Sequence, residues 1–250
     1  MPSSRVSKMI SKNANYLKSG KKIFVIGFNK CGTRSFTELF ERSGIGCVHW
    51  DNNLLAGYIL KDIKEIGAIN LEKYYPESNA FTDIIYINKS FNDGNVLIVE
   101  IFEIIDDIIR SYPDAYYIIN TRNVEDWLIS RFNHERGDFA SIYKQYLFKK
   151  YNIKYTDYML TEYWRYIWHR HHYRLLHKLK NSNNVKYIFY DIEKSSISDL
   201  VKFLEPDYQL KGKSFPKTGR TTYDNNYIRM IIFKAIKRFN FLFRNILSQW

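Results

Sequence analysis

A glycine-punctuated segment with a lysine inside it points most directly to chemistry. Residues 27–36 read Gly-Phe-Asn-Lys-Cys-Gly-Thr-Arg-Ser-Phe and directly follow an apolar run. A loop between a buried strand and a helix N-terminus binds anions through unpaired backbone N–H groups and the helix dipole. Its polar and charged side chains, which would add further donors, are Lys30, Thr33, Arg34 and Ser35. The alternative is a tight turn with a solvated lysine.

The position of this lysine separates the segment from the loop of ATP- and GTP-hydrolysing proteins. That loop has the form G-x-x-x-x-G-K-[ST], in which the lysine directly follows the second glycine and the next hydroxyl binds magnesium. Here Gly27 and Gly32 keep the glycine spacing, but Thr33 and Arg34 occupy the two positions after it. The lysine lies inside the loop as Lys30, so ATP or GTP hydrolysis is disfavoured.

A second pair of anion-binding residues follows another apolar run, residues 115–120. Arg122 ends this predicted strand, and Ser130 lies on the helix that comes next. An arginine at a strand end and a serine from the second helical turn can converge on one phosphate. Taken alone, the pair is better explained by a salt bridge from Arg122 to Glu125 or Asp126, with Ser130 as an ordinary helix serine.

Together the two segments resemble the motifs of P-loop sulfotransferases that use 3′-phosphoadenosine-5′-phosphosulfate (PAPS). Residues 27–36 are similar to the family's 5′-phosphosulfate loop. Residues 120–131, Asn-Thr-Arg-Asn-Val-Glu-Asp-Trp-Leu-Ile-Ser-Arg, are similar to its 3′-phosphate motif. Weaker similarities, in the family's order, are Phe81-Thr82-Asp83, Tyr112-Pro113-Asp114-Ala115, Tyr190-Asp191-Ile192 and Phe215-Pro216.

The resemblance implies which residues bind the nucleotide. Lys30 would contact the 5′-phosphosulfate, and Arg122 with Ser130 would bind the ribose 3′-phosphate. The other loop residues assigned to the nucleotide site are Asn29, Gly32, Thr33, Arg34 and Ser35. The family usually has a small hydroxyl residue where this sequence has Arg34, which either strengthens sulfonate binding or points outward.

A basic segment near the end, residues 211–220, is similar to a late loop that closes over the nucleotide in these enzymes. This similarity implies roles for Lys217 and Arg220. The same composition also fits a solvated connector.

Sulfuryl transfer to a hydroxyl requires a general base within reach of the sulfur. His49 and Asp51 end the second predicted strand, where the family generally places its histidine or carboxylate base. We expect His49 to be the base because its unperturbed pKa lies nearest neutrality. The alternatives for His49 are capping a helix and packing beside Trp50, and a helix N-cap is the alternative for Asp51. Asp83 is a third candidate, expected to orient the substrate.

A group of histidines lies in a predicted helix over residues 156–180: His169, His171, His172 and His177. His169 and His172 could share a helix face, but arginines and lysines surround them and no cysteine or carboxylate completes a ligand shell. We therefore expect no metal, and we assign His172 to contact with the substrate.

Apolar strands that alternate with amphipathic helices predict an α/β fold, a P-loop-type doubly wound parallel sheet flanked by helices. The predicted strands are a run ending at Gly27 and residues 46–50, 115–120 and 185–190. The first predicted helix begins near residue 33. The other predicted helices cover residues 52–68, 102–112, a segment that includes residues 127 and 131, and residues 138–149, 156–180 and 198–204. Residues 70–100 are expected to be rich in loops.

The chain of 250 residues is long enough for one such domain, which we expect over residues 22–222. A basic extension, residues 1–21, would precede it. Residues 223–250 predict an amphipathic helix with a basic face, which fits an anionic membrane surface as well as packing on the domain or a second subunit.

The formal net charge of +12 predicts an anionic partner. The two cysteines, Cys31 and Cys47, indicate no disulfide framework, and no apolar run suggests a signal peptide or a membrane span. We therefore expect a cytoplasmic protein, with peripheral attachment to the inner face of a membrane as an extension of that prediction.

The expected function is transfer of a sulfuryl group from PAPS to a hydroxyl of a saccharide or lipid-linked acceptor, leaving 3′,5′-adenosine bisphosphate. The alternatives are a P-loop kinase and a non-enzymatic basic adaptor for membranes or nucleic acid. The missing Gly-Lys-[Ser/Thr] disfavours the kinase. Two sets of specific residues at two strand ends disfavour the adaptor, and nucleic acid is not the expected partner.

Overall fold

Strands and helices alternate along the chain in the computed structural model, which describes residues 20–90, 95–180 and 185–219. The strands are β1 (Ile23–Val25), β2 (Cys47–His49), β3 (Ala80–Thr82), β4 (Ile85–Ser90), β5 (Asn95–Glu100), β6 (Tyr116–Thr121) and β7 (Lys186–Asp191). The helices are α1 (Thr33–Arg42), α2 (Leu54–Glu65), α3 (Ile101–Ser111), α4 (Val124–Phe132), α5 (Asp138–Tyr151), α6 (Asp157–Lys180) and α7 (Ile197–Leu204).

Within these ranges the main sheet has five strands in the order β2-β3-β1-β6-β7, and every neighbouring pair is parallel. β1 lies at the centre, where Phe24 is opposite Phe81 of β3 and Tyr117 of β6. Because the strands are parallel, the loops after β1, β2, β3 and β6 all leave from the same edge of the sheet. The predicted doubly wound parallel sheet is confirmed.

Helices cover both faces of the sheet because side chains alternate along each strand. On one face, Val25 packs with Phe36 of α1 and Leu200 of α7. On the other face, Phe24 packs in a cluster with residues of α2, α3 and the last turns of α6, including Leu55, Ile105 and Leu175. Near-continuous apolar strands are typical of a parallel sheet buried on both faces.

A second, aromatic core lies beside the loop that follows β1. It includes Phe28 of that loop and the tryptophans of α4 and α6, Trp127, Trp164 and Trp168. The antiparallel hairpin of β4 and β5 contributes Ile85 and Ile98. Through this core α4, α5 and α6 pack together next to the carboxyl edge of the sheet.

The prediction of a loop-rich stretch over residues 70–100 is wrong. Residues 70–100 contain β3, which lies between β2 and β1, and both strands of the hairpin. β3 has only three residues and all of them are buried, so neither length nor alternation marks it in the sequence. The helix predicted over residues 52–68 is shorter in the structure. α2 ends at Glu65, and the next residue, Ile66, is 63% exposed.

None of the helices in the described ranges combines the length and apolarity required to cross a membrane. The predicted amphipathic helix over residues 223–250 and nearly all of the basic extension lie outside the described residues.

Candidate active site

The glycine loop (residues 27–32) is bound from one side by Asn120 of β6. The Asn120 Oδ1 atom accepts the N–H of Gly27 at 2.6 Å, and its Nδ2 donates to the carbonyls of Cys31 at 2.9 Å and Phe28 at 3.4 Å. A Cβ atom on Gly27 would lie 2.0 Å from the Asn120 carbonyl oxygen, so only glycine fits there. One buried amide therefore fixes both ends of the loop.

The two remaining carbonyls in the middle of the loop are also bound by the second motif. Trp127 Nε1 donates to the Asn29 carbonyl at 3.0 Å, and Arg122 Nη1 donates to the Lys30 carbonyl at 3.4 Å. The C=O and N–H of a trans peptide point in opposite directions. We infer that the N–H groups of residues 29–32, which belong to the same peptides as these carbonyls, face away from the second motif, whereas the N–H of Gly27 is bound to Asn120. The N–H groups of the first turn of α1, which follows the loop, lack intrahelical partners.

Lys30 and Gly32 both adopt left-handed backbone conformations, with φ of 64° and 75°. A Cβ on Gly32 would lie 3.1 Å from Cγ2 of Ile192, so a larger residue would also crowd this side chain. Burial lowers the pKa of Lys30, and the nearby Arg34 and Arg122 guanidinium groups lower it further. The Asp83 and Glu135 carboxylates act in the opposite direction, and a bound anion would likewise stabilise the charged form of this half-buried ammonium group.

Arg122 lies where the sequence predicts, at the end of β6, but its ionic partner differs from the alternative considered there. Its Nη2 pairs with Glu193 at 2.7 Å, while Glu125 pairs with Arg165. The Nε atom of Arg122 is buried and has no partner among the residues the structure describes. Ser130 is half-buried on α4, and its contact with a phosphate stays a prediction.

The late loop packs on the first turns of α1, which argues against a merely solvated connector. The Thr218 N–H donates to Ser35 Oγ at 3.2 Å, and Phe215 packs edge-on against Phe36. Lys217 is exposed next to these contacts. Arg220 lies outside the described residues.

The side chains of the first turn of α1 point in different directions. Thr33 and Ser35 are buried, and Arg34 is exposed. The Cδ atom of Arg34 lies 3.0 Å from the position that a Cβ on Gly219 would take. Arg34 thus lies against the late loop, while its charge still lowers the pKa values of Lys30 and His49.

His49 and Asp83 face each other at the ends of β2 and β3. His49 Nε2 lies 3.6 Å from Asp83 Oδ2, and His49 Nδ1 lies 2.9 Å from Thr82 Oγ1. Burial lowers the pKa of His49, so the ring is neutral at neutral pH, and the Asp83 carboxylate partly opposes this shift. Burial raises the pKa of Asp83, against the nearby positive charges of Lys30 and Arg34.

Asp51 does not cap α2, because Asn53 occupies the N-cap position, with no side-chain cap. The Asp51 carboxylate accepts a hydrogen bond from the Tyr75 hydroxyl at 2.8 Å. Its role as a base stays a prediction.

Two of the four histidines of α6, His171 and His172, contact the aromatic core, whereas His169 and His177 are exposed. His172 Nδ1 donates to the Trp168 carbonyl at 2.8 Å, and the two rings lie 4.3 Å apart. His171 Nε2 donates to the Ile26 carbonyl at 2.9 Å, and burial lowers the pKa of His171 to about 3. The contact of His172 with substrate stays a prediction. Within residues 20–90, 95–180 and 185–219, no group of three or more possible metal ligands converges.

Sequence reasoning missed the buried ion pair that supports Asn29. Arg131 is fully buried, pairs with Glu100, and donates from Nη1 to Asn29 Oδ1 at 2.7 Å. Tyr143 donates to Glu100 at 2.8 Å, and the Trp127 ring lies 4.9 Å from the guanidinium. The Asn29 side chain is therefore used to position the loop. Only the location of Arg131 next to Ser130 hinted at this in the sequence.

A second missed element is the turn after α4, which comes close to Lys30. Burial, with the charges of Lys30 and Arg131, lowers the pKa of His134 to about 4. Glu135 and Arg136 in this turn have positive φ values of 51° and 59°. Residues held in such rare conformations cluster at functional sites.

The left-handed residues as a group mark the same region. Among the described residues, the non-glycine positions with positive φ, apart from Asn152, are Lys30, Trp50, Asp51, Asn52, Asn53, Asp83, Glu135 and Arg136. They belong to the loops after β1, β2 and β3 and to the turn after α4. The backbone strain is thus concentrated around Lys30, His49 and Asp83.

Comparison with known proteins agrees with this geometry. A family model described as a sulfotransferase domain matches residues 22–202, which run from the start of β1 into α7 and include Lys30, His49, Asp83 and Arg122. No curated protein matches the chain. The match covers more than half of the sequence, and the chain therefore belongs to the P-loop sulfotransferase family, whose members catalyse sulfuryl transfer.

Proposed function

We propose that this protein transfers a sulfuryl group from PAPS to a hydroxyl of a saccharide or lipid-linked acceptor. The observation that carries the proposal is the construction of the glycine loop. All four carbonyls from Phe28 to Cys31 are bound by side chains of the second motif, and Lys30 lies among further cations. Such a loop presents backbone donors and positive charge to an anion of the size of a phosphosulfate.

The residues at hand fit a nucleotide with two separate anionic groups. The 5′-phosphosulfate would be bound by Lys30 and by backbone N–H groups of Gly32 and the first turn of α1, namely Thr33, Arg34 and Ser35. Arg122 would bind the 3′-phosphate with Ser130, using its buried Nε, which lacks a partner among the described residues. Lys217 and Arg220 would cover the nucleotide from the late loop, and Asn29 would position the loop through its contact with Arg131.

When bound, PAPS supplies the sulfuryl group: the acceptor oxygen bonds to sulfur as the bond from sulfur to the 5′-phosphate oxygen breaks. Lys30 stabilises the negative charge that develops on the leaving oxygen. Positioning and charge stabilisation are the main demands of such a transfer.

The acceptor hydroxyl would give its proton to Nε2 of His49. The imidazolium formed there has Asp83 Oδ2 3.6 Å away, and this carboxylate would stabilise the new positive charge. Asp83 would therefore act together with His49, as well as orienting the substrate. Asp51 is the alternative base, although its carboxylate already accepts a hydrogen bond from Tyr75.

The acceptor class rests on the resemblance and on charge. The net charge of +12 suits an anionic acceptor or an acceptor carried by an anionic membrane surface. The basic residues 223–250 would supply the membrane contact on the cytoplasmic side. His172 would take part only if the acceptor reaches the aromatic core.

Calorimetry tests the proposal. Binding of 3′,5′-adenosine bisphosphate without magnesium is compared with binding of ATP with magnesium, and both are repeated with Arg122→Ala. Micromolar bisphosphate binding that the variant loses would support the donor site. Preference for ATP with magnesium would favour a kinase, and salt-sensitive DNA binding without nucleotide affinity would favour a basic adaptor.

A further inference from the structure

Two threonine hydroxyls connect His49 to the helix that begins at the glycine loop. Thr37 Oγ1 donates to the Thr33 carbonyl at 3.0 Å and lies 3.0 Å from Thr82 Oγ1. Thr82 Oγ1 in turn lies 2.9 Å from Nδ1 of His49. We call Thr37 and Thr82 the hydroxyl chain. It joins β3 and α1 to the side of the imidazole that faces away from Asp83.

The proton positions in the hydroxyl chain follow from counting donors. A threonine hydroxyl has one hydrogen to donate, and the Thr33 carbonyl can only accept. With the Thr37 hydrogen assigned to that carbonyl, Thr82 is the donor in the contact between the two hydroxyls, whose geometry allows either direction. Thr82 has then used its own hydrogen, so toward His49 it can only accept. On this assignment the hydrogen in that last contact belongs to Nδ1 of His49.

We propose that Thr82, oriented by Thr37, fixes neutral His49 in the Nδ1–H tautomer and so leaves Nε2 as the atom that receives the proton. Thr37 and Thr82 are then positioning residues that act through His49. This inference rests on the proposed function for its meaning in catalysis, but the tautomer itself can be measured without any acceptor.

The tautomer of neutral His49 decides whether its Nε2 atom can accept a proton. The lowered pKa keeps the ring neutral at neutral pH, and a neutral imidazole has only one nitrogen that can take a proton. The charged groups that face it are Asp83 on the Nε2 side and Arg34 from α1. If the hydrogen were on Nε2 instead, that atom would donate to Asp83 and could not act as a base.

Cys47 is a further titratable side chain that contacts the hydroxyl chain. Its thiol interacts with both Thr37 and Thr82, and burial raises the pKa of Cys47 to about 12. The sulfur therefore stays a neutral thiol, which is a much weaker acceptor than a thiolate or a carbonyl. It does not draw the Thr82 hydrogen away from Thr37.

The hydroxyl chain is also enclosed enough to keep this arrangement. Thr82 is fully buried in the central sheet. Thr37 starts from the second turn of α1, and its acceptor is the carbonyl of the first residue of that helix. The tautomer of the base is therefore tied to the same helix whose N-terminus would bind the phosphosulfate.

Heteronuclear NMR of the imidazole nitrogens tests the proposal in the full-length protein bound to 3′,5′-adenosine bisphosphate. At about pH 8, well above the ordinary histidine pKa of about 6.5, the His49 signal is assigned by its loss in His49→Gln. Wild type should show a protonated Nδ1 and a bare Nε2. Thr82→Val should shift His49 toward the Nε2–H tautomer that free histidine favours, and Thr82→Ser should restore the wild-type pattern.

Thr161→Val is the matched control, since Thr161 is equally buried and its hydroxyl donates to a carbonyl of its own helix. It should change the thermal stability about as much as Thr82→Val without moving the His49 signals. Thr37→Val, which leaves Thr82 in place, should give a mixture of tautomers.

An Nε2–H tautomer in wild type, or a Thr82→Val spectrum like that of wild type, would overturn the inference. Both results are read with bisphosphate as the only ligand, so they do not depend on an acceptor. Absence of bisphosphate binding would instead count against the proposed function. Once an acceptor is found, Thr82→Val should lower turnover about tenfold or more, up to the roughly 10²–10⁴-fold that a general base contributes.

Discussion

Glu193 competes with the nucleotide's 3′-phosphate for Arg122 if the proposed donor site is correct. Its carboxylate lies 2.7 Å from Arg122 Nη2, and the two side chains are 21% and 37% exposed, with Arg122 the less exposed. A phosphate that binds Arg122 must displace or share this partner. Replacing Glu193 by Gln removes the competing charge and should tighten binding of 3′,5′-adenosine bisphosphate.

The size of this effect follows from the exposure of the pair. Partly exposed ion pairs contribute about 0.2–1 kcal/mol, which corresponds to a roughly 1.4- to fivefold gain in affinity. Calorimetric titration at low ionic strength measures it best, because salt screens exposed charges. The gain should disappear when Arg122→Ala is combined with Glu193→Gln, since the two changes act on one contact.

Glu162→Gln is the control for net charge. Glu162 also pairs with an arginine, Arg165, and lies on α6. Its replacement removes one negative charge and should leave bisphosphate affinity unchanged. Weaker binding by Glu193→Gln would refute the reasoning, because it would mean that Glu193 orients Arg122 toward the phosphate. An equal gain in Glu162→Gln would refute it as well, because the effect would then be one of overall charge.

Four further predictions follow from the described contacts. His49→Ala should reduce turnover by about 10²–10⁴-fold and leave bisphosphate affinity within about twofold, as measured by kinetics and calorimetry; normal turnover would exclude His49 as the base. Because burial lowers the pKa of His49, activity should fall on acidification only below about pH 6.5, and a pH profile with its midpoint above that value would contradict this. Gly27→Ala should strongly destabilise the fold in thermal or denaturant unfolding, since its Cβ would lie 2.0 Å from a backbone oxygen of Asn120, and wild-type stability would show that the loop can move aside. Arg131→Met should lower the free energy of unfolding by about 3–5 kcal/mol because Glu100 remains buried without its partner, and adding Glu100→Gln should recover part of that loss if the ion pair is the cause.

Local sequence patterns were sufficient to predict the strand and the helix that flank the glycine loop. The apolar run before Gly27, the helical spacing of Phe36, Leu39 and Phe40, and the strand before Arg122 each lie within a short window of sequence. For this reason the start of α1 at Thr33 was predicted correctly. The parallel sheet followed from the alternation of such elements.

Contacts between distant residues could not be predicted in the same way. Arg122 and Glu193 are 71 positions apart, and Arg131 and Glu100 are 31 positions apart. Nothing local distinguishes these charged residues from solvated ones, since their pairing depends on the strand order. β3 was missed for the same reason: its three residues become a strand through pairing with β1 and β2.

The hydrogen bond from Arg122 to the carbonyl of Lys30 has a consequence for discrimination between nucleotides. A ligand with both a 3′-phosphate and a 5′-phosphosulfate would engage this arginine and the loop that it supports at once. A ligand without a 3′-phosphate, such as AMP or adenosine 5′-phosphosulfate, would leave Arg122 paired with Glu193. At the proposed donor site, Arg122 would thus favour nucleotides that carry a 3′-phosphate over those that carry only 5′ groups, and competition from Glu193 would reduce that preference.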